Sequence, residues 1–216
     1  VRNVAISQVY PDESNPRKAD TVRLGLLKLS LKKLGYIQPL FVTKEGLLLS
    51  GHQRTKVSGE IGFKQVPVIV VGLTEEQRRG INLVFNRATN DFTAFDTGSK
   101  AAGRLDLEDL IKAAEALPDF EGEQWFALNC KTEPLAALVQ GEAERYDKKA
   151  TNMALVPFRM GIKIPIVASQ SGRLVNGVYR AFAALESGET SWPVIRIPDA
   201  QAEVALNFLN YLSMDF

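Results

Sequence analysis

Six consecutive residues, Ser50-Gly51-His52-Gln53-Arg54-Thr55, gather the side chains best suited to hold an anion. Glycine permits an abrupt turn, and a helix starting there aims its first N–H groups, which have no carbonyl partner inside the helix, at whatever occupies the turn. Arg54 adds a planar fork of donors that matches phosphate oxygens. His52, the one histidine of the chain, can donate a hydrogen bond or move a proton near neutral pH. Ser50, Gln53 and Thr55 complete the polar set. Upstream, Asn15-Pro16 fixes a bend that would aim Arg17 at the same pocket. Asp12 and Glu13 precede it and offer a carboxylate as base for a hydroxyl acceptor, or as a Mg²⁺ ligand on a triphosphate. The competing reading makes Gly51 a simple helix cap and leaves the loop carboxylates in solvent.

These residues need elements to position them. Residues 4–10 alternate weakly and read as a short edge strand, followed by the turn-rich loop 11–20. Asp20 or Thr21 can cap a helix carrying Leu24, Leu27, Leu31 and Leu34 on one face, stopped by Gly35. "QPLFVT" and "LLLS" form a hairpin through Lys44–Gly46, a helix runs from about His52 to Ile61, and "VPVIVVG" is a buried strand. Thr74 caps a further helix with glutamates in its first turn. "LEDLIKAAEAL" is amphipathic and ends before Pro118. Residues 119–152 carry no clear period and read as a linker with helical pieces, or a lid.

The tail repeats the opening. A shift of 126 residues lays 39–69 on 165–195 without a gap, and 10 of 31 positions are identical. The shared glycines and prolines fall at the structural punctuation, which marks an internal duplication. The second copy keeps Gly177 and Arg180 but has Asn176, Val178 and Tyr179 where the first has Ser50, His52 and Gln53. The shared Gly and Arg therefore suit a structural role, with Arg bracing the turn. His52 and Gln53 are the better functional candidates, and the second copy reads as a degenerate site. No counterpart of the helix at 21–34 is evident there. The expected organisation is a nucleotide-binding domain at 1–92, an acidic helical linker at 93–150, and a degenerate half at 151–216 packed on the first.

Charge supports this division. The net charge of +1 conceals 14 Lys/Arg against 7 Asp/Glu in residues 1–90, and 5 against 13 in 91–147. A basic front lobe suits phosphate or nucleic acid. The acidic middle argues against a protein that coats DNA over its whole surface. No apolar run approaches the roughly 18 residues of a membrane helix. The first ten residues lack the apolar stretch of a signal peptide. With a single cysteine, Cys130, neither an internal disulfide framework nor a cysteine-rich metal site is possible within the chain. A cytoplasmic setting is expected.

The ordered set "NPR", "LKLSLKKLGYIQPLFV", "LLSGHQRTKV" and "GFKQVPVIVV" resembles the ParB N-terminal domain of the ParB/sulfiredoxin superfamily over about residues 4–92. Leu27, Ser30, Leu31, Gly35, Gln38, Pro39, Leu40 and Val42 fit its pattern. "LVFNRATNDFTAFD" looks like the corresponding stretch of phage and plasmid members. The resemblance implies an α/β fold, a mixed sheet with helices, whose Gly-x-x-Arg turn binds nucleotide phosphates. ParB proteins bind and hydrolyse CTP; relatives include ATP-using sulfiredoxins, free-serine kinases and proteins described as nucleases. The chain departs from partition proteins, which carry Glu-Arg-Arg where it has His52-Gln53-Arg54. It has no cysteine at the position of His52, so sulfiredoxin chemistry is excluded. Free-serine kinases carry a His-His-Arg version, although Ser50 stands where they have an aspartate. No helix-turn-helix is evident beyond residue 92.

The functional expectation is NTP hydrolysis or phosphoryl transfer in phage or plasmid DNA metabolism or modification, using ATP or CTP with Mg²⁺. Arg17 and Arg54 would neutralise phosphates, His52 would orient or protonate a phosphate oxygen, and Glu13 or Asp12 would be base or metal ligand. The alternative is a non-catalytic DNA-binding partition or regulatory module, with a homo-oligomer possible in either case. Walker A, HExxH and paired CxxC patterns are absent. Trp125-Phe126 suits packing of the linker onto the core better than stacking on a base. The tail "ALNFLNYLSMDF" reads as a helix covering a sheet.

Overall fold

The same four-stranded sheet is built twice. The computed structural model describes residues 1–11, 21–74, 76–77, 105–122 and 124–212, with Asn210 described by its backbone alone. The first unit comprises β1 (Arg2–Ala5), α1 (Thr21–Leu34), β2 (Leu40–Val42), β3 (Leu48–Ser50), α2 (His52–Glu60) and β4 (Gln65–Val70). After α3 (Leu107–Glu115), the second comprises β5 (Lys131–Pro134), the single turn α4 (Leu135–Leu138), α5 (Lys148–Arg159), β6 (Ile166–Ser169), β7 (Leu174–Asn176), α6 (Val178–Glu186) and β8 (Ser191–Ile197). A last helix, α7 (Asp199–Tyr211), follows. Strand orders are β1-β4-β2-β3 and β5-β8-β6-β7.

The correspondence extends to register. Leu40 faces Val68 in the parallel pair β2–β4, and Ile166 faces Val194 in β6–β8, so both partners shift by 126. Both hairpins carry an irregularity at the same place, between Phe41 and Val42 and between Val167 and Ala168. A mixed α/β fold with an internal duplication is thus what the chain forms.

Two expectations are corrected. The second unit does not start at 151, because β5 at Lys131–Pro134 is already its edge strand, paired antiparallel with β8 as β1 is with β4. That strand is short, polar and mostly exposed, so no alternation betrayed it. The helix at 21–34 also has a counterpart. Shifted by 126 its span becomes 147–160, which brackets α5. The buried face of α5 is Ala150, Thr151, Ala154, Leu155 and Pro157, small residues with a proline in the last turn, in place of a leucine stripe.

Packing explains why the units form one body. α1 buries Leu26, Leu27, Ser30, Leu31 and Leu34 and ends at Gly35, whose φ of +62° is the left-handed value that stops a helix. Leu40 and Val42 point to the α1 side of the first sheet, whereas Phe41 and Leu49 meet Ile162 and Ile164 of the second unit on its other face. Val167, Val175, Ile195 and Ile197 of the second sheet meet Ala202, Ala205 and Phe208 of α7 in the same core as α1. The tail helix therefore covers a sheet, as its sequence predicts. Trp125 is fully buried, stacked on Phe120 and edge-on to Tyr36, so the linker aromatics pack. The reciprocal Thr74–Gln77 capping bonds begin the next helix, and the remainder of that predicted helix lies outside the described residues.

Candidate phosphate-binding turn

The turn after β3 is formed as its sequence requires. Gly51 caps α2 with φ +98°, ψ 25°, a conformation that L side chains rarely adopt. A Cβ there would overlap Leu40 Cδ2 and lie 3.2 Å from Arg54 Nη2. Gly177 has the same conformation, φ +98°, ψ 23°, at the start of α6. Each turn thus presents the start of a nine-residue helix and a glycine against which an arginine packs.

Arg54 points inward. It is buried, and its Nη1 donates to the Gln38 carbonyl at 2.9 Å, tying α2 to the entrance of β2. Arg180 does the same in the second unit, where Nη2 donates to the Pro165 carbonyl at 3.1 Å and to Asn176 Oδ1 at 2.6 Å. Burial lowers the Arg180 pKa to about 10, so it remains charged at neutral pH. Thr55 also works inside the helix, its hydroxyl donating to the Gly51 carbonyl at 3.0 Å. Arg54 and Thr55, expected to touch phosphate, here spend these donors on the turn itself.

Ser50 is buried at the end of β3, while His52 and Gln53 are half-buried in the first turn of α2. The fold therefore brings Ser50, Gly51, His52, Gln53, Arg54 and Thr55 together. Asp12, Glu13 and Arg17 lie outside the described residues. Gln38, in the sequence only a pattern residue, proves central: its carbonyl takes Arg54 and its Nε2 donates to Asn176 Oδ1 at 3.2 Å. A cleft of about 50 Å³ lies behind the turn, lined by Ser30, Tyr36, Gln38 and Arg54 with Phe208 and Leu209 of α7. It has room for water but not for a nucleoside. Among the described residues no cluster of three or more His, Cys, Asp or Glu is placed to hold a metal ion. Also among them, no helix is long and apolar enough to cross a membrane.

The family model of the ParB N-terminal domain matches residues 1–87, the segment that forms the first unit and its turn. Over these residues the chain resembles a ParB N-terminal domain. Over 121 residues, 54% of this chain and 43% of the relative, the chain is 24% identical to the nucleoid occlusion protein of Geobacillus thermodenitrificans. It is 31% identical to the chromosome-partitioning protein ParB of Myxococcus xanthus over 119 residues, 53% of this chain and 39% of the relative. The chain thus spans about two fifths of the length of these curated relatives. Among solved structures, the C-terminally truncated ParB of Caulobacter crescentus complexed with CTP-γ-S aligns over 99% of this chain and 98% of its own, at 16% identity and a TM-score of 0.37. At that TM-score the likeness adds nothing to the topology described above. The second unit, whose strand order repeats that of the first, lies beyond the matched segment.

Proposed function

We propose that this chain is a ParB-like, DNA-associated protein that binds a nucleoside triphosphate at the Ser50–Thr55 turn. The reading is carried by the left-handed Gly51 at the head of α2, within the segment that matches the ParB N-terminal domain. Phosphate oxygens would lie over the first amides of α2, where the helix dipole favours negative charge. His52 and Gln53, which the second copy replaces by Val178 and Tyr179, would contact them from the first helical turn. Arg54 and Thr55 keep that geometry, and Arg54 adds positive charge from below. Arg17 would supply a second cation from the loop. CTP is the first candidate, in keeping with the ParB family, and ATP the second. Mg²⁺ would be held by the phosphates and water, with Asp12 or Glu13 as ligand.

Turnover, in this reading, passes the γ-phosphoryl group to water or to a hydroxyl acceptor. Its bond to the β-phosphate oxygen breaks, and Glu13 or Asp12 takes the proton of the attacking oxygen. DNA would meet the basic lobe, where Arg23 and Lys28 on α1 and Lys56 on α2 are exposed. The second reading is a DNA module without turnover, favoured by the bonds that Arg54 and Thr55 make to the Gln38 and Gly51 carbonyls.

DNA affinity measured over a salt series, with and without CTP or ATP, separates the two. A nucleotide-dependent affinity accompanied by phosphate release supports the first. A steep salt dependence with no nucleotide effect supports the second and removes the first.

A further inference from the structure

We propose that Asn176, in the second unit, is a positioning residue for the phosphate-binding turn of the first. Asn176 is the counterpart of Ser50 under the 126-residue shift, and it closes β7 as Ser50 closes β3. Its Oδ1 accepts two hydrogen bonds, from Arg180 Nη2 at 2.6 Å and from Gln38 Nε2 at 3.2 Å. The Gln38 carbonyl in turn accepts from Arg54 Nη1 at 2.9 Å, and Arg54 Nη2 is the atom beside Gly51. A continuous chain therefore runs from the arginine of the degenerate turn to the arginine of the working one, through Asn176 and Gln38.

The polarity of this chain is fixed. Arg180 can only donate, so Asn176 must turn its oxygen toward it. That oxygen then requires a donor from Gln38, which places the Gln38 NH₂ group inward. Gln38 is only 7% exposed, so little water can replace the partner. Desolvation makes Arg180 a strong donor that keeps Asn176 from rotating. The second unit has given up His52 and Gln53 yet kept Gly177 and Arg180, and this explains what the retained pair does. It anchors Asn176, which holds Gln38, which sets the position of Arg54 under the Gly51 turn.

The experiment has two readouts, because the ligand arm rests on the nucleotide reading and the other does not. The first is hydrogen–deuterium exchange of the 51–55 amides in the unliganded full chain. The second is the Kd for CTP and ATP with Mg²⁺. The variants are Asn176→Leu, Asn176→Asp, and Gln38→Met, which cuts the same link while leaving Arg180 its acceptor. Loss of one partly buried hydrogen bond should speed exchange at 51–55 about three- to tenfold in Asn176→Leu and Gln38→Met, and weaken nucleotide binding by a similar factor. Asn176→Asp keeps the acceptor oxygens and should restore both. Wild-type exchange at 51–55 in folded Gln38→Met overturns the proposal, as does failure of Asn176→Asp to rescue. If wild type binds neither nucleotide while Gln38→Met loosens 51–55, the positioning role stands and the nucleotide reading falls.

Discussion

Adding one methyl group should cost more at Gly51 than at Gly62 or Gly177, and the structure gives the reason. Gly51 and Gly177 with φ +98° and Gly62 with φ +88° share nearly the same left-handed backbone. Alanine at each incurs the same backbone strain, about 1–2 kcal/mol. At Gly62 nothing lies within 4 Å of the new Cβ, so strain is the whole cost. At Gly51 the Cβ overlaps Leu40 Cδ2, and Leu40 is fully buried between α1 and the sheet, so it cannot swing away. Overpacking of this kind adds about 1–3 kcal/mol. Midpoint values give about 1.5 kcal/mol for Gly62→Ala and about 3.5 kcal/mol for Gly51→Ala. For a chain of this size, where 1 kcal/mol moves Tm by about 2–4 °C, the losses are roughly 3–6 °C and 7–14 °C. Gly177→Ala should fall between, because its Cβ meets the Arg180 guanidinium at 2.7 Å, which can yield only by releasing Asn176 or Pro165. Thermal unfolding by circular dichroism, with urea midpoints as a check that m is unchanged, measures all three. Equal losses at Gly51 and Gly62 would refute the claim that Leu40 closes the underside of the turn.

Two further outcomes test the packing around the site. The buried hydroxyls of Tyr36 and Ser58 lie 2.8 Å apart, so Tyr36→Phe should cost about 1–2 kcal/mol in urea unfolding, and adding Ser58→Ala should recover part of it. Asp119 is held below the ordinary carboxylate range by its bonds to Lys33 and then Lys32. A folded pKa below the unfolded one contributes stability that is present above the unfolded value and lost as pH falls through the folded one. Asp119→Asn should therefore lower Tm at neutral pH, with the difference disappearing in acid; a difference that persists in acid would contradict the ion pairs.

Much of the first unit was legible because its signals are local. The leucines of α1, Gly35 at its end, the 40–50 hairpin and the Gly51 turn each declare themselves within a few residues. The duplication was legible because glycine and proline punctuation survives divergence. What escaped depended on partners distant in sequence. β5 is a strand only because β8 pairs with it, and α5 buries mainly small residues and a proline in place of the leucine stripe that declares α1. The inward course of Arg54 could be suspected from its retention in both copies, but its acceptor is a backbone carbonyl, which no side-chain pattern reveals. Likewise the Gln38–Asn176 bond spans 138 positions and joins two residues unrelated by the repeat.

The central claim is that the first turn, and not its copy, holds the phosphates of a nucleotide. Calorimetric titration of CTP and ATP with Mg²⁺ into wild type, His52→Ala, Gln53→Ala, Val178→Ala and Tyr179→Ala tests it directly. The account predicts binding at one site per chain, weakened at least tenfold by His52→Ala or Gln53→Ala and unchanged by Val178→Ala or Tyr179→Ala, a factor that corresponds to about 1.4 kcal/mol. Folded wild type that binds neither nucleotide, or binding lost only with the Val178 and Tyr179 variants, would contradict it.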